Sequence, residues 1–213
     1  MEFTAWLPFF FATLAISLAP GPGAIAAMGA GLNHGFRHGQ PVAFGLALGV
    51  CTQLAVVAVG LGAVLASSET AFSVVKWAGA AYLVWLGVQQ WRSPASPIQA
   101  PGPDAAPLDP RQRLRALLLK GWMVNALNPK GTVFLLAVMP QFLDVNQPML
   151  AQYLTIGITF GVIECSVMTG YVALAARVLG FLHTPSHIRW MNRGFGGLFV
   201  LAGGVLAMFK RAA

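Results

Sequence analysis

Long apolar stretches alternate with short polar segments along the whole chain of 213 residues. Each stretch is long enough, or nearly so, to cross the roughly 30 Å hydrocarbon core of a bilayer, for which about 20 helical residues are needed. The stretches are continuously apolar rather than alternating in polarity, which favours α-helices over the strands of a membrane barrel. The pattern predicts an all-α polytopic membrane protein with six transmembrane helices, at Trp6–Met28, Pro41–Ala66, Phe72–Trp91, Leu117–Met139, Tyr153–Ala176 and Gly194–Phe209.

A segment rich in Pro and Ser separates the third span from the fourth and divides the chain into halves. Such a composition is typical of a flexible or partly polyproline II connection. The expected organisation is a first three-helix repeat at 1–92, a cytoplasmic Pro-rich linker at 93–116 and a second three-helix repeat at 117–213. Because each half has an odd number of spans, a duplicated half must enter the membrane inverted, as in many secondary transporters.

The first span of each half is interrupted by proline and glycine at matching places, Pro20-Gly21-Pro22-Gly23 and Asn128-Pro129-Lys130-Gly131. Pro22 and Pro129 are 107 residues apart, which is half the chain length within rounding. Proline is unfavourable inside a helix but fits the first position of a new helix, with Gly or Asn before it as N-cap. Helices 1 and 4 are therefore either pairs of half-helices, whose free N–H groups favour a carboxylate, or ordinary helices with proline kinks.

Two ionisable residues, Lys130 and Glu164, lie near the middle of predicted spans. A charge at the centre of a membrane helix costs roughly 2.5–3.5 kcal/mol on insertion scales, so both side chains are expected to face the bundle interior. In a functional site Lys130 would attract a substrate carboxylate, and Glu164 would take a substrate ammonium or a coupling proton. Alternatively, the two neutralise each other as a structural pair, or Lys130 extends to the membrane interface.

Small and polar residues within the spans indicate close helix packing as well as possible ligand contacts. Gly45 and Gly49, like Gly157 and Gly161, have the small-xxx-small spacing that lets membrane helices approach closely. Hydroxyl and amide side chains in membrane helices more often bridge neighbouring helices than bind a ligand. Those that could complete a site are Asn125, Thr52, Gln53, Ser166 and Thr169.

The composition agrees with a membrane class, since 57% of the residues are hydrophobic and only 9% are charged, against about 25% charged in soluble domains. This excludes a conventional soluble enzyme, a disordered chain and a disulfide scaffold. The net charge of +7 comes from Lys and Arg placed between the spans, not on a folded basic face, so no nucleic-acid partner is expected. Nine of these cations lie in loops one, three and five, whereas three lie on the opposite side of the membrane. This bias predicts that loops one, three and five are cytoplasmic and that both termini are in the periplasm.

Few residues could support catalysis or hold a metal ion. The histidines form two pairs at helical spacing, His34 with His38 and His183 with His187, and no acid or cysteine accompanies either pair. The chain has six acidic residues and shows no Ser–His–Asp or paired-carboxylate arrangement. No catalytic residue, metal or cofactor is therefore expected, and the chain is not expected to be an enzyme.

Four segments resemble the LysE/RhtB family of amino-acid exporters in the order and spacing of that family. They are SLAPGPGAIAAM (17–28), KWAGAAYLVWLGVQQWR (76–92), NALNPKGTVFLLAVMPQF (125–142) and RGFGGLFVLAGGVLA (193–207). The resemblance implies a six-helix exporter of the bacterial inner membrane, an antiporter of amino acids or close derivatives driven by the proton gradient. Its partners would be the amino-acid substrate, protons and the lipid bilayer, and a homo-oligomer is left open.

The interruptions and the family motifs define the candidate site. Many members of the family have an acidic residue just after the second glycine of span two, where this chain has Val50 and then Cys51, which shifts a coupling role toward Glu164. One buried acid with Lys130 opposite suits a zwitterion better than a dication, so a neutral or hydroxylated amino acid is favoured. Glu164 is the candidate for proton coupling, and the candidate substrate-binding residues are Pro20, Gly21, Pro22, Gly23, Asn125, Asn128, Pro129 and Lys130.

Two other functions stay open at this point. A membrane thiol-redox conduit would use Cys51 and Cys165, which lie in corresponding spans of the two halves. That chemistry needs a reactive, accessible thiolate near a resolving partner, and neither cysteine has a nearby cation in sequence. A channel or a non-transporting membrane scaffold is the other alternative, although a scaffold would not need Lys130 and Glu164 within its spans.

Overall fold

The computed structural model describes residues 3–67, 69–92, 109–144 and 146–177, together with isolated positions between 186 and 204. Within these residues every regular element is a helix, which confirms the all-α prediction for this part of the chain. The predicted linker up to residue 108 and most of the sixth predicted span, Gly194–Phe209, lie outside the described residues. In chain order the helices are α1 (Phe3–Leu18), α2 (Pro22–Gly39), α3 (Pro41–Ser67), α4 (Glu69–Arg92), α5 (Pro110–Ala126), α6 (Pro129–Val138) and α7 (Met149–Arg177), with a turn of 3-10 helix at Met139–Phe142.

The described part of the chain has seven helices where five spans were predicted, because two of those spans are each divided in two. The first predicted span consists of α1 and α2, which meet at an angle of 58°. Between them Gly21 has φ −153° and ψ −166°, an extended backbone that interrupts the helix completely. The half-helix interpretation is therefore confirmed for the first interruption, and a simple proline kink is wrong there.

The fourth predicted span is divided in the same way, into α5 and α6, with Leu127 and Asn128 between them. Helix α5 begins at Pro110, seven residues before the predicted start of the span at Leu117. Proline at the first helical position and the helix-favouring Arg, Gln and Leu residues after it explain the earlier start. The basic residues after the linker therefore lie on the first turns of a helix.

Helices α3 and α7 are single and match the second and fifth predicted spans. By length and composition, Pro41–Gly60 of α3 and all of α7 can cross a membrane, and the bent pair α1–α2 can form a third, broken span. Helix α4 covers the third predicted span. Many large apolar side chains on α3 and α7 are exposed, including Val59 and Ile158, as expected of faces that meet lipid.

Glycines allow α3 and α5 to cross backbone against backbone. A Cβ on Gly45 would overlap the carbonyl oxygen of Leu118, and one on Gly49 would come within 2.8 Å of the carbonyl oxygen of Trp122. On the other side, a Cβ on Gly121 would overlap the Val42 carbonyl oxygen. The predicted close approach at Gly45 and Gly49 is confirmed, and it brings the α5–α6 break beside α3.

Two apolar clusters enclose the region of the breaks. One cluster includes Phe9, Phe134 and Ile156 and joins α1, α3, α6 and α7. The other includes Met28 and Val172 and joins α2, α3, α5 and α7. Members of both clusters line the cavity described below, so the polar site is surrounded by tightly packed apolar side chains.

Candidate functional site

The first break leaves carbonyl oxygens at the end of α1, among them those of Ile16, Leu18 and Ala19, without their usual helical partners. The partner of Ile16 would be residue 20 and the partner of Leu18 would be residue 22, and both positions are proline, which has no N–H. The Ala19 carbonyl loses its partner because the extended backbone at Gly21 ends the helical path. The sequence thus creates a cluster of open acceptors at the negative end of the α1 dipole.

Side chains from two distant helices bind these acceptors. The Lys130 ammonium, at the start of α6, donates to the carbonyl oxygens of Ile16 at 3.3 Å and Ala19 at 3.0 Å. The Tyr171 hydroxyl, on α7, donates to the Leu18 carbonyl oxygen at 2.6 Å. A cation and a hydroxyl from the second half of the chain therefore complete the end of the first half-helix.

At the second break, too, a proline removes a helical hydrogen bond and a side chain from a distant helix binds the carbonyl oxygens. Pro129 removes the N–H that would bond the Asn125 carbonyl oxygen. The side-chain amide of Gln53, on α3, donates to the carbonyl oxygens of Asn125 at 2.6 Å and Asn128 at 2.7 Å. The Asn128 side-chain oxygen accepts from the backbone N–H of Lys130 at 3.1 Å, so Asn128 is the N-cap of α6 as predicted.

Glu164 connects the two breaks. The residue is 5% exposed, and its carboxyl group accepts a hydrogen bond at each oxygen, from the Ser17 hydroxyl at 2.6 Å and from the Asn125 side-chain amide at 2.9 Å. Ser17 lies on α1 just before the first break and Asn125 lies on α5 just before the second. A Cβ on Gly23 would be 3.9 Å from Oε1, so the carboxyl group also lies against the first turn of α2. The prediction that Glu164 faces the bundle interior is confirmed.

A cavity of about 30 Å³ lies where these groups meet. Its wall carries one basic side chain, Lys130, and one acidic side chain, Glu164, with apolar surface from residues such as Val50 and Phe160. This volume holds about two water molecules, whereas sites for small organic ligands measure about 300 Å³ or more. The described conformation is closed, and a ligand the size of an amino acid enters only if the half-helices move apart.

The structure brings most of the predicted site residues together. Six of them line the cavity: Gly21, Gly23, Asn125, Asn128, Lys130 and Glu164. The three prolines, Pro20, Pro22 and Pro129, do not line it, but they lack the N–H groups that would continue the helices through the breaks. Lys130 therefore reaches a common site with Glu164, although its ammonium is bound to backbone oxygens of α1.

Sequence reasoning missed Ser17 and Tyr171 and left Gln53 undecided. Ser17 could have been found because it precedes the first interruption by about one helical turn, and Tyr171 because it follows Glu164 by seven residues, on the same face of a helix. The structure supports helix bridging for two of the hydroxyl residues considered. Thr52 accepts from the Trp122 indole N–H, and Thr169 donates to the Gln40 side chain.

The two cysteines lie away from this chemistry. Cys51 is exposed and Cys165 is partly buried, and both are free thiols. Neither lines the cavity. Val50, the neighbour of Cys51, does line it and is 2% exposed, so the position at which an acidic residue was expected from relatives faces the site with an apolar side chain.

Comparison with known proteins identifies relatives along the whole chain. A family model described as "LysE type translocator" matches residues 14–209. The chain is 41% identical over 212 residues to the homoserine/homoserine lactone efflux protein of Salmonella typhi, covering 100% of both chains. It is 25% identical over 195 residues to the leucine efflux protein of Klebsiella pneumoniae, covering 91% of this chain and 89% of the relative. No solved structure matches the chain at a significant level.

The family match includes both breaks, the cavity and the polar network around Glu164. It agrees with the resemblance predicted from the motifs, and it describes translocators, in line with a transporter rather than an enzyme. The relatives named above are efflux proteins, and the matches cover nearly their whole length. The chain therefore belongs to the LysE family of translocators, multi-pass membrane proteins.

Proposed function

We propose that this protein is a secondary active exporter of amino acids in the bacterial inner membrane. The observation that carries the proposal is the meeting of two broken helices at one buried cavity that holds one cation, Lys130, and one carboxyl group, Glu164. Broken helices at membrane depth are the usual location of substrate sites in secondary transporters. The efflux functions named for the relatives support the same direction of transport.

The substrate is a neutral or hydroxylated amino acid or a close derivative. One positive and one negative side chain on the described wall of the cavity balance each other, which suits a substrate without net charge. Val50 is apolar, so this wall offers no second acid for a dibasic substrate. The named substrates of two relatives, homoserine and leucine, are neutral amino acids. Homoserine lactone, also named, keeps the α-ammonium group but has no free carboxylate, so the ammonium is the group that these substrates share.

Transport is coupled to protons through Glu164. Its carboxyl group contacts α1 through Ser17 and α5 through Asn125, so a change in its protonation alters hydrogen bonds at both breaks together. A proton taken up from the periplasm and released to the cytoplasm would then exchange for a substrate molecule moving outward. The halves rock around the cavity in an alternating-access cycle.

The organisation of the halves is part of the same proposal. Residues 1–92 and 117–213 form inverted repeats of three spans each, joined by the segment 93–116, whose last residues form the start of α5. Loops one, three and five lie in the cytoplasm and both termini in the periplasm. The cross-contacts support it, because α3 of the first half supplies Gln53 to the second break, and α7 of the second half supplies Tyr171 and Glu164 to the first.

The test is counterflow in proteoliposomes loaded in turn with neutral, hydroxylated and basic amino acids. Saturable exchange of a neutral or hydroxylated amino acid is expected, and exchange of none of the three groups would refute the proposal. A channel would give flux that neither saturates nor shows counterflow. A variant with Cys51→Ser and Cys165→Ser separates the thiol-redox alternative, since an exporter keeps its exchange activity without either thiol.

A further inference from the structure

We propose that the Lys130 ammonium is a placeholder for the ammonium group of the substrate, rather than the anchor of its carboxylate. In the closed conformation Lys130 would occupy the position that the substrate ammonium takes when substrate is bound. The proposal rests on the proposed function, because it assumes an ammonium-bearing substrate in this cavity. It assigns the substrate ammonium to the carbonyl oxygens at the end of α1.

The Lys130 ammonium lies among acceptors that suit a cation. Its nitrogen lies 3.0 Å from the Ala19 carbonyl oxygen and 3.3 Å from that of Ile16, at the negative end of the α1 dipole. Carbonyl oxygens at a helix C-terminus attract cations and repel carboxylates. A carboxylate placed against this nitrogen would therefore approach the wrong end of α1, whereas an amino-acid ammonium finds the acceptors it needs.

The Lys130 ammonium and the ammonium of an amino acid are chemically equivalent. The side chain of lysine ends in a compact ammonium with three donors and no acceptor, and an amino acid carries the same group at its α-carbon. The carbonyl oxygens of Ile16 and Ala19 lie beside the cavity wall at Gly21, where a Cβ would lie 3.7 Å from the Lys130 nitrogen. Glycine at this position leaves space next to the bound ammonium, and a substrate entering the cavity reaches the same oxygens.

Competition follows from the size and charge of the site. The cavity measures about 30 Å³, about the volume of two water molecules, so a whole amino acid does not fit beside Lys130 while the lysine keeps its position. Two like charges sharing the same acceptors also repel strongly in a medium of low polarity. The displaced lysine has Glu164 on the wall of the same cavity as its next partner.

A placeholder role of Lys130 affects the step in which the carrier reorients without substrate. With substrate absent, Lys130 satisfies the open carbonyl oxygens of α1 and permits the closed conformation through which the carrier reorients. Without Lys130 these oxygens keep a cationic partner only when substrate is bound. Net efflux, which needs the empty carrier to reorient, should then suffer more than exchange, in which every reorientation is loaded.

The experiment compares Lys130→Ala with the wild type in proteoliposomes, measuring net efflux and counterflow of the same amino acid. Lys120→Ala is the matched control, because Lys120 is exposed on α5 and does not line the cavity. The ratio of net efflux to counterflow is expected to fall at least about tenfold in Lys130→Ala, the factor that corresponds to one charge-assisted hydrogen bond. Methylammonium, with sodium as the control ion, should restore part of the net efflux. A carboxylate anchor predicts that both rates fall together and that the half-saturation concentration rises.

A second measurement uses the wild type alone, so it does not depend on the folding of a variant. A methyl ester of the transported amino acid, which keeps the ammonium and lacks the carboxylate, is expected to inhibit counterflow competitively. The corresponding 2-hydroxy acid, which keeps the carboxylate and lacks the ammonium, is expected not to inhibit. The opposite order would overturn the placeholder role while leaving the exporter function intact. Absence of any exchange by the wild type would instead refute the proposed function, and the placeholder role with it.

Discussion

Replacement of Glu164 by glutamine tests proton coupling most directly, because glutamine keeps the shape of the side chain and removes its charge and its titration. The carboxyl group accepts from the Ser17 hydroxyl at 2.6 Å and from the Asn125 amide at 2.9 Å. In Glu164→Gln the amide oxygen can still accept from Asn125. The new NH₂ group faces Ser17, whose hydroxyl rotates to accept instead of donating.

The cost of this change is small enough for the variant to fold. Both hydrogen bonds can be kept in the variant, and a bond to a neutral group is weaker than a bond to a charged one by about 1 kcal/mol, which limits the loss to roughly that amount for each bond. Glu164→Ala is more damaging, because it leaves the buried donors of Ser17 and Asn125 without an acceptor, at about 1–3 kcal/mol for each unsatisfied group. The glutamine variant therefore separates coupling from stability, and the alanine variant does not.

The assay follows efflux from substrate-loaded proteoliposomes with and without an acidic exterior. In the wild type an inward proton gradient of one pH unit supplies about 1.4 kcal/mol for each coupled proton and is expected to accelerate efflux. In Glu164→Gln this acceleration should disappear, while exchange of substrate at equal pH continues. Asp144→Asn is the matched control, because Asp144 is exposed in the loop before α7 and outside the cavity.

An unchanged response of Glu164→Gln to the gradient would refute the assignment of the coupled proton to this residue. Loss of the response in Asp144→Asn as well would mean that the neutralisation of any acidic residue has this effect. Only the pattern in which Glu164→Gln alone loses the response supports the mechanism derived from the network.

Three further substitutions test the packing around the breaks. Tyr171→Phe removes the 2.6 Å hydrogen bond to the Leu18 carbonyl oxygen and should destabilise the purified protein by about 1–3 kcal/mol, seen as a lower thermal midpoint; an unchanged midpoint would contradict a structural contribution of this bond. Gly49→Ala forces α3 and α5 apart and should lower the thermal midpoint. The control Gly60→Ala, on the same helix, places its Cβ where nothing lies within 4 Å and should leave the midpoint equal or higher. Equal effects of the two substitutions would contradict the close crossing of α3 and α5. Gln53→Leu removes the short side-chain hydrogen bonds to the carbonyl oxygens of Asn125 and Asn128, which then keep only their local contacts with Asn128 and Thr132. It should reduce both the thermal midpoint and counterflow, and counterflow at the wild-type rate would show that this cap is dispensable.

The positions of the breaks were predictable from the sequence because their cause is local. A proline lacks an N–H wherever the chain folds, so Pro20, Pro22 and Pro129 each remove one bond of the regular helical pattern in any arrangement. Asn128 before Pro129 is likewise a local N-cap signal, and the structure bears it out. The same reasoning placed the helices α3 and α7, whose continuous apolar runs are long enough to cross a membrane.

The partners of the breaks were not predictable in this way, because they come from distant parts of the chain. Tyr171 is 153 residues from Leu18, and Lys130 is 111 residues from Ala19. Their selection depends on the packing of α7 against the first half and on the entry of α6 beside the end of α1. The direction of the Lys130 ammonium also differs from the expected contact with a substrate carboxylate, because the open backbone oxygens compete for it.

The sequence by itself determined that this is a helical membrane protein, that proline and glycine interrupt two of its spans, and that one lysine and one glutamate belong inside the bundle. These properties follow from hydropathy, from the missing N–H of proline and from the cost of an isolated charge in hydrocarbon. Only the tertiary structure decided that both breaks meet at one cavity, that side chains from α3 and α7 donate hydrogen bonds to the carbonyl oxygens at the breaks, and that the Lys130 ammonium binds the end of α1. Helix packing fixes these contacts, since glycines on α3 and α5 bring backbones together that lie about 70 residues apart in sequence.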